Sequence, residues 1–363
     1  MLDPLNILFR VDAGQDIGFG HLARCTALAT IAIKSGAQVH FLGSGEKLDV
    51  FINEILSGRC NVRTLTEQET AGAENIFAEV LPPHPNVIIF DTAHHRTLQD
   101  LKFFKNELKA ARKIADKVLV FDSLGKSSLQ FNAVDFLPND IVVTPYVGAE
   151  EYGFNAGTQL NGPLYFVLNP NFKAYLGTRK IRDSATRVLL TCGGSDVANV
   201  SAKTLQAINN IADVSLDVRV IIGPGFPDGL IEDIERFSRY SPHQIECLRG
   251  RSCLAADMNW CDICVSMSGL TKYELAATGT PAILLSIDKV HADAHQSFNL
   301  LKTSWHLGAA HEVSVKELQE KILSLLVKSN VRTEMSNNGQ THVAGDGSSQ
   351  ILEFLERHRH VGT

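Results

Sequence analysis

Short runs of β-branched and other apolar residues alternate with stretches of helical spacing, and the chain does this twice. The first series predicts strands at Asn6–Val11, Val39–Leu42, Val87–Phe90, Val118–Phe121 and Ile141–Val143, with helices over 21–35, 46–57, 66–80 and 96–116. The second predicts strands at Arg187–Thr191, Val218–Ile222, Ile245–Leu248, Ile263–Ser266 and Ala282–Ser286. Apolar strands separated by helices are the signature of parallel sheets with crossover connections, since parallel neighbours cannot be joined by a tight turn. A length of 363 residues accommodates two such units. The expected fold class is therefore α/β, with two Rossmann-like doubly wound domains facing across a cleft at the carboxyl ends of their strands. The polar stretch Lys173–Ala185 separates a domain over 1–175 from one over 186–345. A helix at Ser348–His358, within a terminal segment 346–363, follows the Gly345-Asp-Gly347 breaker.

Charge and cysteine usage remove several function classes. With 34 Lys and Arg against 40 Asp and Glu, the net charge is -6, which offers nothing to draw a phosphate backbone or an anionic membrane. No nucleic-acid partner and no stable membrane association are expected. No apolar run approaches the ~18 residues of a spanning helix, and the start, Met1-Leu-Asp-Pro4, lacks a basic-then-apolar leader, so a cytoplasmic location is expected. Seven cysteines form no disulfide framework. Cys261 and Cys264 have metal-like spacing, but no second pair completes four ligands, so they read as thiols packed in a strand. His94-His95 and His291/His295 likewise lack a third ligand at a telling distance. No metal and no organic cofactor is expected.

Three strand-to-helix turns carry chemistry. The first is Arg10-Val-Asp-Ala-Gly-Gln-Asp-Ile-Gly-Phe-Gly-His21. Gly18 and Gly20 let backbone approach a ligand closely, and the helix behind them offers unpaired N–H groups to an anion. The spacing is not that of a dinucleotide fingerprint, and no acid ends the second strand near Phe41-Leu-Gly43, which argues against NAD. His21 lies where loop becomes helix, and the positive end of the helix dipole predicts an imidazole that stays neutral near pH 7. It reads equally as a base or as a residue covering the glycines. The second turn is Thr191-Cys-Gly-Gly-Ser-Asp196, with Asn199 opening a helix. There Gly193, Gly194 and Ser195 can lie beside a phosphate or a hexose, or serve packing alone. The third runs from Ser266 through Ser268-Gly269-Leu270-Thr271 to Glu274, with Gly279 ending the helix and Pro281 leading into the next strand. Free N–H groups of Gly269, Leu270 and Thr271 suit a diphosphate, and Glu274 can accept both hydroxyls of a ribose.

Arg10-Val-Asp-Ala-Gly14 with Ile-Gly-Phe-Gly-His-Leu-Ala-Arg-Cys25, Cys-Gly-Gly-Ser-Asp196 with Asn199, and the Ser268–Pro281 block together resemble the UDP-2,4-diacetamido-2,4,6-trideoxy-β-L-altropyranose hydrolases of pseudaminic acid biosynthesis. The pattern is also similar to the spore-coat polysaccharide proteins. The Ser268–Pro281 block with Asp293-Ala-His-Gln296-Ser-Phe-Asn299 resembles the N-acetylglucosaminyltransferase that makes the lipid-linked peptidoglycan precursor. Similarity covers residues 6–35 and most of 187–310. The resemblance implies the GT-B architecture and places the hydrolases' catalytic histidine on His21. Where that family commonly has Asp-x-Tyr after a middle strand, this chain reads Asp91-Thr-Ala-His-His95.

The resulting expectation is a metal-independent nucleotide-sugar hydrolase, monomeric or weakly dimeric, with a UDP-sugar as its substrate. His21 would activate water at the anomeric carbon with inversion, and Asp12 would orient the imidazole or the sugar. Gly18, Gly20 and Arg24 fall on the sugar side. Gly193, Gly194, Ser195 and Asn199 would lie beside phosphate or hexose, Ser268, Gly269, Leu270 and Thr271 on the diphosphate, Glu274 on the ribose, and Gln296 and Asn299 near the phosphates or the sugar. The alternative is a GT-B glycosyltransferase in which His21 activates an acceptor hydroxyl, although no apolar and basic cluster for a lipid acceptor is evident in the first domain. A catalytically silent nucleotide-sugar sensor is the third reading, against which the histidine at the attack position weighs.

Overall fold

The computed structural model describes residues 4–14, 17–46, 48–66, 69, 76–77, 84–93, 97, 100–122, 129, 134–151, 157–294 and 296–358. His94-His95, His295 and most of the helix expected over 66–80 lie outside these residues. The chain clusters into two compact units, 1–170 with 346–363, and 171–345.

In the first unit, seven parallel strands run in the order β3-β2-β1-β4-β5-β6-β7. They are β1 (Asn6–Val11), β2 (Gln38–Gly43), β3 (Asn61–Thr64), β4 (Val87–Asp91), β5 (Lys117–Phe121), β6 (Asp140–Thr144) and β7 (Thr158–Asn161). The inner strands are mostly apolar because both faces of the sheet are covered, with buried polar residues such as Arg10, Asp91 and Asp140 as exceptions. Ile7, Phe9 and Val11 pack on one face against Leu22, Cys25, Leu28 and Ala32 of α1 (Gly20–Lys34). Leu8, Ile88, Phe90 and Val120 pack on the other, against Phe104 and Leu108 of α3 (Leu101–Ala111), which follows α2 (Leu48–Leu56) in the chain. The terminal helix, α12 (Gly347–Arg357), sends Ile351, Leu352 and Leu355 into the same core as α1. It is thus part of the first unit and not a separate appendage. Gly347 permits this seat, because a Cβ there would meet the Phe166 carbonyl oxygen at 2.3 Å.

The second unit has six parallel strands in the order β10-β9-β8-β11-β12-β13. These are β8 (Arg187–Thr191), β9 (Asp217–Ile221), β10 (Gln244–Leu248), β11 (Ile263–Met267), β12 (Ala282–Ser286) and β13 (Trp305–Ala309). Its helices are α4 (Val200–Asn209), α5 (Asp228–Arg239), α6 (Ala255–Trp260), α7 (Thr271–Ala277), α8 (Lys289–Ala294), α9 (Ser297–Leu300), α10 (Val315–Val327) and α11 (Ser329–His342). The three strands that the apolar pattern does not predict, β3, β7 and β13, all lie at sheet edges. An edge strand is paired on one side only and tolerates polar residues, as in Asn61-Val-Arg-Thr64, so it lacks a continuous apolar run.

Both sheets reverse their winding direction at one point, between β1 and β4 in the first unit and between β8 and β11 in the second. Ligands of doubly wound sheets bind outside the strand ends at such points. If α12 belongs to the first core as described, Ile351→Ala should cost about 2–5 kcal/mol. Urea unfolding checks this, and a loss under about 0.5 kcal/mol would place the helix outside the core.

Candidate active site

At the switch point of the first sheet, the last residue of β1 is in register with the last residue of β4, Val11 with Asp91. The chain leaves β1 through a glycine loop. Gly14 and Gly18 close it by exchanging backbone hydrogen bonds, Gly18 N–H donating to Gly14 O at 2.7 Å and Gly14 N–H to Gly18 O at 3.4 Å. Gly18 takes φ +86°, which disfavours any side chain. Gly20 then opens α1 and His21 stands in its first turn. From there the imidazole reaches Asp91, with Nδ1 2.6 Å from Oδ1.

Asp91 is fully buried, and Arg24, one turn along α1 from His21, grips it from the other side. Arg24 Nε donates to Oδ2 at 2.7 Å and Nη2 to Oδ1 at 2.6 Å, while Nη1 donates to the Tyr146 hydroxyl at 2.9 Å. The guanidinium carbon also lies 4.6 Å from the centre of the Phe121 ring. Burial opposes ionisation of Asp91, but Arg24 and His21 outweigh it and hold the carboxyl at about 2. An ionised carboxylate can only accept, so Nδ1 carries the ring proton of a neutral His21 and Nε2 has the basic lone pair. The imidazole is 20% exposed, enough to meet a ligand without being surrounded by water.

This geometry corrects the expectation for Asp12. Its carboxylate does not orient the imidazole; it accepts from Arg10 Nη1, Ser44 N at 2.8 Å and Ser44 Oγ at 2.7 Å. Residues two apart on a strand share a face, so the buried cation of Arg10 captures it, and Arg10 Nε donates in turn to Glu107 at 2.8 Å. Asp12 therefore ties the glycine loop to the end of β2. Arg24, expected on the sugar side, is 3% exposed and each of its three nitrogens donates to Asp91 or Tyr146. Its work is to hold Asp91 and, through it, His21.

In the second unit, the loop after β8 and the turn after β11 leave neighbouring strand ends, Thr191 being in register with Ser266. Asp196 caps α4, accepting from Val200 N and Ser201 N at 2.8 Å each. Gly193 and Asn199 are exposed, and Gly194 and Ser195 half-buried. The Gly194 carbonyl accepts from Gly225 N at 2.8 Å, tying this loop to the one after β9. At the second turn, Ser268 faces inward. Its N–H donates to Leu285 O at 2.8 Å and its hydroxyl meets Ser286 Oγ at 2.6 Å, because it continues the pairing of β11 with β12. Only Gly269, Leu270 and Thr271 keep N–H groups without a hydrogen bond among the described residues. Glu274 is half-buried, its carboxylate makes no hydrogen bond among the described residues, and burial pushes it up to about 7. Gln296 is exposed, whereas Asn299 spends its amide on the His306 backbone, donating to O at 3.0 Å and accepting from N at 2.8 Å.

Cys261 and Cys264 are buried thiols, Cys261 pushed up to about 11 by burial. Among the described residues, no group of three or more His, Cys, Asp or Glu side chains could hold a metal ion, and no helix is long and apolar enough to cross a membrane.

Residues 187–351 match the glycosyltransferase family 28 C-terminal domain. Across the whole chain, the solved structure of MurG from Acinetobacter baumannii superposes with a TM-score of 0.65 at 14% identity, covering 98% of this chain and 100% of that one. The chain has the GT-B fold. Among curated proteins, the spore coat polysaccharide biosynthesis protein SpsG of Bacillus subtilis is 22% identical over 95% of this chain and 96% of its own length. An uncharacterized protein of Methanocaldococcus jannaschii is 23% identical over 85% of this chain, which spans 63% of that relative. The Salinibacter ruber UDP-N-acetylglucosamine--N-acetylmuramyl-(pentapeptide) pyrophosphoryl-undecaprenol N-acetylglucosamine transferase is 32% identical over 48% of each chain. The Asp91 clamp stands at the first sheet's switch point, and the segment similar to family 28 contains the second.

Two residues of the site escape a local reading. Asp91 is named by sequence only as the start of a departed motif, though a strand-terminal acid beside β1 is the signal that could have found it. Tyr146 follows β6 with no signal at all. Asp91→Asn should leave the Arg24 guanidinium buried without its anion, at a cost of about 3–5 kcal/mol. The ion pair's pH signature has a definite sign. Because the folded carboxyl lies below its ordinary value of 3.8, its stabilisation is complete above that value and is lost as pH falls toward about 2. Stability measured against pH should show this acid limb in the wild type, and an undiminished limb in Asp91→Asn would assign it elsewhere.

Proposed function

We propose that this protein hydrolyses a UDP-sugar, releasing UDP and the free sugar by attack of water at the anomeric carbon with inversion. The observation that carries this reading is the imidazole of His21, fixed by a buried, ionised Asp91 at the head of α1. A base must be oriented before it is useful, and the Asp91 clamp sets both the tautomer and the plane of the ring. His21 Nε2 takes a proton from water as its oxygen bonds to C1. The bond between C1 and the diphosphate breaks, and its electron pair leaves on the β-phosphate oxygen. The charged Asp91 stabilises the imidazolium that forms. A diphosphate is a good leaving group, so oriented N–H donors can stabilise its charge without a strong general acid.

The second unit holds the nucleotide in this reading. Gly269, Leu270 and Thr271 donate N–H groups to the diphosphate, Glu274 accepts from the ribose hydroxyls, and Gln296 lies near the phosphates. Gly193, Gly194, Ser195 and Asn199 lie beside phosphate or hexose, and Gly18 and Gly20 let backbone approach the hexose. The family 28 domain match and the transferase relative, whose name specifies a UDP-sugar donor, support the nucleotide assignment. The Bacillus subtilis relative supports a place in polysaccharide biosynthesis. The sequence resemblance favours a diacetamido-trideoxyhexose of pseudaminic (nonulosonic) acid or surface polysaccharide synthesis as the sugar. In this reading the enzyme is cytoplasmic and metal-independent, and monomeric or weakly dimeric.

The family 28 match equally favours a glycosyltransferase, in which His21 deprotonates an acceptor hydroxyl in place of water. Incubation with a panel of UDP-sugars and no acceptor separates the two by NMR. Free sugar and UDP support the hydrolase, and turnover only after an acceptor is supplied establishes the transferase.

Two substitutions test the division of labour. His21→Asn should lower turnover by about 10²–10⁴-fold while UDP affinity, measured by calorimetry, stays unchanged. Near-normal turnover would remove His21 as the base. Glu274→Gln should weaken UDP binding by about 1.5–3 kcal/mol, the worth of hydrogen bonds to a charged acceptor. Unaltered affinity would take Glu274 out of the ribose site.

A further inference from the structure

Beneath the Ser268–Thr271 turn lies a lysine that the proposed mechanism does not use. Lys272, the second residue of α7, is 3% exposed. Its Nζ donates to the Ser268 carbonyl oxygen at 3.0 Å and lies 5.3 Å from the ring centres of both Tyr273 and Phe298. Around it stand Ser268 at the end of β11, Ser286 at the end of β12 and His306 on β13. Ser286 Oγ bridges Ser268 Oγ at 2.6 Å to His306 Nε2 at 2.9 Å. No carboxylate pairs with the amine among the described residues.

Two physical consequences follow. In a trans peptide the C=O and the next N–H point in opposite directions. Lys272 draws the Ser268 carbonyl inward, so the Gly269 N–H of the same peptide is aimed outward, toward the face where the turn's other N–H groups are unused. A buried amine with no counter-ion is also expensive in its charged form. Burial holds Lys272 well below the ordinary lysine range, and burial together with Lys272 holds His306 at about 4. In place of a counter-ion the amine has the Ser268 carbonyl and the faces of Tyr273 and Phe298, and no carboxylate among the described residues adds to them.

We propose that Lys272 is a positioning residue for a diphosphate on this turn: its hydrogen bond to the Ser268 carbonyl fixes the Ser268–Gly269 peptide with N–H outward, and binding of the anion favours the protonated form of the buried amine. The inference rests on the nucleotide assignment of the preceding subsection and adds to it the residue that makes the turn selective for anions.

The test compares wild type with Lys272→Met by calorimetry, using UDP, inorganic pyrophosphate and uridine as probes, alongside thermal melting. The expected result is a loss of about tenfold or more in affinity for UDP and pyrophosphate, unchanged uridine affinity, and a melting temperature equal to or above that of the wild type. UDP affinity retained in Lys272→Met would overturn the proposal. So would a parallel loss of uridine binding and thermal stability, which would make Lys272 a structural residue. If Lys272→Met does not fold, Lys272→Gln, which keeps a donor without the charge, takes its place with the same readouts. Wild-type protein that binds pyrophosphate as tightly as UDP, with that binding lost in the variant, would sink the nucleotide reading and leave this inference standing. Binding of neither by the wild type would remove both.

Discussion

A carboxylate wholly removed from water keeps its charge only where donors replace the hydration it has lost. Asp91 meets that condition through two parallel bonds from Arg24 and one from His21. Arg24 and His21 are three residues apart and so share a face of α1. The helix itself is fixed by Leu22, Cys25 and Leu28 in the core of the first sheet. The position of Asp91 is equally constrained, because it closes β4 in register with the end of β1. One ion pair thus joins helix, strand end and imidazole, and the orientation of the ring follows from packing that spans the first unit.

The second unit presents the opposite electrostatic condition. Where Asp91 is fully compensated, Lys272 and Glu274 are held away from their ordinary ionisation by burial, and neither has an oppositely charged partner among the described residues. Buried groups with perturbed ionisation cluster at functional sites, and these two stand next to the backbone N–H groups of Gly269, Leu270 and Thr271. The two units thus differ in internal compensation, with an imidazole held by an ionised carboxylate in the first and two buried ionisable side chains without an ion pair among the described residues in the second.

Much of this was legible in the sequence, for physical reasons that also explain what was not. Buried parallel strands are mostly apolar, so β1, β8 and β12 have the bounds their apolar runs predict, even with the buried Arg10 inside β1. The edge strands β3, β7 and β13 escape that rule. Glycines and His21 announce themselves because a strand-to-helix turn is a local object. The partner of His21 does not, since Asp91 is 70 residues away and only sheet register brings it near, whereas Asp12 is close in sequence but belongs to Arg10. Ser268 reads as part of an anion-binding turn until strand pairing with β12 shows that its N–H and hydroxyl are already spent. Lys272 carries no local signal in the sequence, and its burial is visible only in the structure.

The central claim is that an oriented imidazole in the first unit directs water to the sugar's anomeric carbon. Turnover of a UDP-sugar in oxygen-18 water tests it most directly, because the label records which bond breaks. The account predicts the label on the C1 hydroxyl of the released sugar and unlabelled UDP. Label in the terminal phosphate of UDP, with an unlabelled sugar, would mean attack at phosphorus and would contradict it.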